Sequence, residues 1–142
     1  MQLDDQTILT IGVPNTNGRI YTQECVESMV EQFNARDKPM LGELGYRSGQ
    51  SGPTIDLARV SHAVTDLRIV DGKLVGTIQV LQTPFGKILE VVANTAKIDM
   101  DCVMHFRPAC MVAPQDMILE MDGTTTLKNV TFYSVSATND PA

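Results

Sequence analysis

A chain of 142 residues, 43% hydrophobic and 20% charged, is long enough to bury a sizeable core and too balanced in composition for general disorder. Its formal net charge of −6 argues against a sequence-independent grip on DNA or RNA, which draws its affinity from lysine and arginine neutralising phosphates. The apolar runs are too short to span a bilayer, and the acidic start "MQLDDQTILTIGV" lacks a secretory signal's basic region, so no membrane partner and synthesis in a cytoplasm are expected. Cys25, Cys102 and Cys110 lack metal-like spacing and are read as reduced thiols, with no metal and no cofactor implied.

In chain order, "TILTIGV" forms a first strand, and Pro14, Asn15, Asn17 and Gly18 turn the chain. Thr22 then caps a helix whose Cys25, Val26, Met29, Val30 and Phe33 share one face. Gly45, Tyr46, Arg47, Ser48, Gly49, Gln50, Ser51, Gly52 and Pro53 lack aliphatic anchors and form a surface loop, a candidate contact element. "RVSHAVTDLRIV" and "KLVGTIQVL" flank Asp71-Gly72, a strong hairpin signal. Thr83 and Pro84 start a second helix with Ile88, Leu89, Val91 and Val92 as its buried stripe. The remainder is read as sheet: "KIDMDCVMHF", "ACMVA", "DMILEM", a turn at Asp122-Gly123, and the β-branched run "TTTLKNVTFYSVSAT". The expected fold is a single α+β domain over residues 1–142, a mostly antiparallel sheet or small β-barrel with about two covering helices.

Strict alternation places His62 with Val60 and Val64, and Ser61 on the opposite face, so the two neighbours are not expected to pair. A lone histidine on an apolar strand face is read first as a hydrogen-bonded structural residue, with a general base as the alternative. In "KIDMDCVMHF" the stripe Ile98, Met100, Cys102, Met104 and Phe106 makes Cys102 a core residue, because burial among apolar side chains quiets a thiol. Asp99, Asp101 and His105 share the other face, read as solvated rather than metal-binding. Glu43 is compatible with either a buried or an exposed acid.

Five segments in order, "NGRIY" (Asn17–Tyr21), "GEL" (Gly42–Leu44), "VSH" (Val60–His62), "LQTPFGK" (Leu81–Lys87) and "SVSATNDPA" (Ser134–Ala142), resemble the landmarks of tailed-bacteriophage prohead maturation proteases, serine peptidases related to herpesvirus assemblins. The resemblance implies that fold and makes His62 the counterpart of the general base. It places Asp101 and Cys102 where the family carries serines, Val103 where it carries arginine, and Tyr46 where a histidine commonly follows "GE". A carboxylate cannot replace a serine nucleophile, and valine cannot stabilise an oxyanion, so a degenerate catalytic centre is expected, with His62, Cys102 and Asp101 as vestiges. The family's C-terminal extension is expected to be missing after "NDPA".

The resulting expectation is a capsid decoration or cement protein of the virion, bound to the major capsid protein as a homo-oligomer through its termini and the 45–53 loop. Two alternatives are an active maturation endopeptidase using a Cys102–His62 pair and a scaffold-associated assembly factor.

Overall fold

The computed structural model describes residues 1–45, 54–99 and 104–139. In chain order it contains β1 (Gln2–Thr10), β2 (Arg19–Tyr21), α1 (Gln23–Asn34), β3 (Met40–Glu43), a 3-10 turn (Leu57–Arg59), β4 (Val60–Val70) and β5 (Lys73–Val80). Then follow α2 (Pro84–Ala96), β6 (His105–Met111), a second 3-10 turn (Pro114–Asp116), β7 (Met117–Leu119), β8 (Thr125–Leu127) and β9 (Thr131–Thr138). The architecture is α+β and mostly antiparallel, with β2–β8 a parallel pair.

The longest hairpin follows from its turn. Asp71 and Gly72 both take positive φ, 50° and 74°, the geometry of a two-residue connection that follows the strand twist. It places β4 against β5 in the four-stranded sheet β1-β5-β4-β3. A three-stranded sheet runs β2-β8-β7, and β6 pairs with β9. β1 packs beside β6, and β3 beside β9 through the bridge Leu44–Ala137, so the sheets bend round a shared core. They remain open, because among the described residues neither contact becomes a strand ladder; the barrel alternative is not realised.

Both helices begin as their caps predict. Thr22 Oγ1 accepts the Cys25 N–H at 3.1 Å, and Thr83 Oγ1 accepts the Gly86 N–H at 2.9 Å with Pro84 opening the helix. α1 buries Cys25, Val26 and Met29 against β4 and β9, as its periodicity requires. α2 turns a different face inward: Gly86, Leu89 and Ala93 are buried, while Ile88 and Val91 are 47% and 65% exposed. The cause is a close approach at Gly86, where a Cβ would collide with the Leu81 carbonyl. That approach seats the 86-89-93 face on β4 and β5. Met29, Met40, Leu74, Ile78, Leu89 and Leu127 are the largest apolar side chains with no appreciable exposure, and they belong to one cluster.

Three expectations about the strands are corrected. The strand expected from Lys97 begins at His105: Lys97 caps α2, Asp99 donates its N–H to Thr95, and Ile98 is 89% exposed rather than in a stripe. β6 instead runs through Pro108, which a two-stranded pair tolerates at an edge. The β-branched C-terminal run divides into β8 and β9 at Lys128–Val130, and the first strand starts at Gln2.

Candidate functional site

Four of the landmark segments meet around the start of β4. On β3, Gly42 and Glu43 oppose His62 and Val60, so β4 spends two residues where β3 spends one and Ser61 is the extra residue of a bulge. The alternation that separates neighbouring side chains fails at such a step. Ser61 Oγ lies 2.7 Å from His62 Nδ1, which corrects the expectation that these neighbours cannot pair. Bulges leave no hydrophobic pattern, and Val60 through Val64 are buried on both faces.

The other ring nitrogen fixes the tautomer. His62 Nε2 lies 2.7 Å from the Val135 carbonyl oxygen, which can only accept, so Nε2 carries the proton and Nδ1 accepts from the Ser61 hydroxyl. Both Ser61 and His62 have 0% exposure. The Phe106 ring meets the imidazole edge-on at 5.7 Å between centroids. Burial drives the imidazole pKa down to about 4, the Val135 hydrogen bond opposing it only in part, so the ring is neutral at ordinary pH.

Gly42 makes this arrangement possible. A Cβ there would overlap both His62 Nε2 and the Val135 carbonyl oxygen, so any larger residue would push into the hydrogen bond that links β4 to β9. The neighbouring Glu43 is buried, and its Oε1 takes the Arg59 Nε–H at 3.2 Å. Arg59 also donates to the Leu44 carbonyl at 2.7 Å and lies over the Phe85 ring at 5.9 Å. Thr83 Oγ1 donates to the Val60 carbonyl at 2.5 Å, tethering α2 to the same point. From the other side, Ser134 Oγ donates to the Leu41 carbonyl at 2.7 Å, and the Gly45 N–H donates to the Ala137 carbonyl at 2.6 Å. Arg59 and the Val135 carbonyl were not singled out by sequence, and Phe106 only as a core residue; the backbone acceptor has no residue signature at all.

Chemically, Ser61 to His62 has the donor sense of a general-base pair, but neither side chain reaches solvent and the second ring nitrogen is already occupied. Asp101, Cys102 and Val103 lie outside the described residues, as do Tyr46 to Pro53 of the expected contact loop; Gly45, with φ of 85°, is described. Asp99 is exposed beyond α2, while His105 lines a cavity of about 290 Å³ with Thr7, Asn15, Tyr21 and Phe106. Cys25 and Cys110 are free thiols; burial raises Cys25 to about 11 and Cys110 further, so neither is poised as a thiolate.

No family model and no curated protein matches the sequence. Among solved structures the chain is similar to the capsid assembly protease of bacteriophage T4, gp21, with a TM-score of 0.69 over 99% of this chain and 92% of that one. The fold is prohead-protease-like. Sequence identity is 17%, so the likeness is one of architecture. Within that architecture, the general-base position inferred from "VSH" falls on the closed Ser61–His62–Val135 network described above.

Proposed function

We propose that the chain is a non-catalytic component of a phage head, a decoration or cement protein that binds the major capsid protein and uses a prohead-protease-like fold as a binding module. The observation that carries this reading is the closed state of His62: no exposure, and both nitrogens hydrogen-bonded within the protein. A base in that state meets neither a substrate nor a second nucleophile. The residues at the nucleophile positions, Asp101 and Cys102, support the same reading from sequence. Attachment as a homo-oligomer, with the termini and the 45–53 loop as contacts, is the form it would take.

The test is quantitative mass spectrometry of purified mature heads. The reading expects the intact chain in many copies per head. Its confinement to proheads would favour a transient scaffold-associated factor instead, and its absence from both would remove the proposal.

One observation favours the endopeptidase alternative: His62 is neutral with Nδ1 accepting a hydroxyl hydrogen bond, the protonation state and donor sense from which a general base starts, although burial makes it a weak base. That reading requires the imidazole to exchange one of its present partners for the Cys102 thiol. Cleavage of capsid or scaffold protein that disappears in both Cys102→Ala and His62→Ala would establish it in place of the binding role.

A further inference from the structure

β7 is a short edge strand whose side chains are all exposed. Met117, Ile118 and Leu119 are consecutive, apolar and exposed, Leu119 to 76%, and Met121 beyond them is entirely open. Edge strands are ordinarily blunted by shortness, by bulges, prolines or charges within the strand, or by a covering element, and of these β7 has shortness alone among its three residues. The two edges of the four-stranded sheet are protected: β1 carries Asp4, Asp5 and two register shifts, and β3 packs against β9.

The ladder shows which backbone groups are offered. Lys128 N–H donates to the Asp116 carbonyl, Glu120 N–H to the Thr124 carbonyl, and Thr125 N–H to Gly18 on the β2 side. Antiparallel alternation therefore directs Ile118 toward β8 and the N–H and C=O of Leu119 away from it. The strand is flanked by Asp116, Glu120 and Asp122, with Lys128 as the nearby cation in sequence. Asp122 is held ionised by donors from Thr124.

We infer that the β7 edge receives an extended segment of another protein, apolar along its length with lysine or arginine at its ends, which adds a fourth strand to the β2-β8-β7 sheet. The charges select against a second copy of this chain. Antiparallel self-pairing about Ile118 sets Asp116 opposite the other copy's Glu120, and pairing about Leu119 sets Asp116 opposite its Asp122; pairing about Met117 avoids opposed acids but brings neither Asp116 nor Glu120 a cation. The inference stands independently of whether the chain is carried on a phage head.

The test uses the full chain and a synthetic peptide of alternating valine and alanine between terminal lysines, followed by fluorescence anisotropy. Saturable binding is expected, weakened about tenfold by Leu119→Pro, which removes one outward N–H while sparing the β7–β8 ladder. A peptide with terminal glutamates should bind about tenfold more weakly than the lysine peptide at low salt. Amide exchange supplies a measurement on the unaltered protein, with slowing at Leu119 when the lysine peptide is added. Absence of binding, equal binding by Leu119→Pro, or equal binding of the two peptides overturns the inference. A dimer of the unmixed protein that Leu119→Pro dissolves also overturns it, by making a second copy the occupant.

Discussion

His62 and Leu119 reverse the usual placement of polar and apolar side chains. The imidazole has no exposure and bonds at both nitrogens, while the leucine is 76% exposed at a sheet edge. A polar ring is stable in the core only when each of its groups is paired, and here Ser61, Val135, Gly42 and Phe106 over-determine its position. Among the described residues nothing comparable surrounds Leu119. The contrast teaches that the part of this fold that looks catalytic in sequence is the closed part, while a plain apolar strand offers the open groups.

Filling the space beside the closed centre should have the largest effect. Gly42→Ala forces a methyl group between His62 and the Val135 carbonyl, combining overpacking with loss of a buried hydrogen bond. A destabilisation of about 4 kcal/mol is expected from the sum of those two costs, measured by urea denaturation. A loss under about 1 kcal/mol would mean that the centre relaxes freely and is not over-determined.

Lowering the pH tests the same centre without mutation. The folded imidazole titrates near 4 and the unfolded one near 6.5. Between these values the unfolded chain binds the extra proton, so stability falls as pH falls through that window and the contribution is fully present above it. The total is about 3 kcal/mol. Because carboxylates titrate nearby in pH, the measurement is the difference in pH dependence between the protein and His62→Gln, which lacks the imidazole. Identical profiles would contradict a buried neutral ring.

What was legible in sequence follows the same division between local and long-range causes. Thr22, Thr83 with Pro84, and Asp71-Gly72 act through bonds or dihedrals within a few residues, and each does in the structure what its chemistry predicts. The burial face of α2 depends on the close approach of Gly86 to the Leu81 carbonyl, and periodicity alone chose Ile88 and Val91 wrongly. The pairing of Ser61 with His62 depends on a bulge against β3, and the bond to Val135 crosses 73 positions of sequence. His62 could be singled out by type and by resemblance. Its state could not, because that is decided by a backbone carbonyl on β9 and by the absence of a side chain at Gly42.

Ser61→Ala separates the two halves of the network. Removing the hydroxyl leaves Nδ1 buried without a donor while Nε2 keeps Val135, so a loss of about 2 kcal/mol is expected in denaturant unfolding. The His62 pKa, followed by the imidazole NMR shift, should rise from its value in the intact protein, because the hydrogen bond that Ser61 donates exists only with the neutral ring. An unchanged stability and titration would place Ser61 outside the network.

The smallest effect is expected at the open edge, and its smallness is what gives it meaning. Leu119→Thr removes more apolar surface than Gly42→Ala adds, yet most of that surface is already in water, and threonine suits a strand. Unfolding should change by no more than about 0.5 kcal/mol. If the edge is instead part of the fold's support, the same substitution will cost about 1.5 kcal/mol or more, the value of burying an aliphatic side chain. The two magnitudes distinguish a strand held by its ladder to β8 from one held by its side chains. Only the former leaves Leu119 free to contact a partner without unfolding the sheet that presents it.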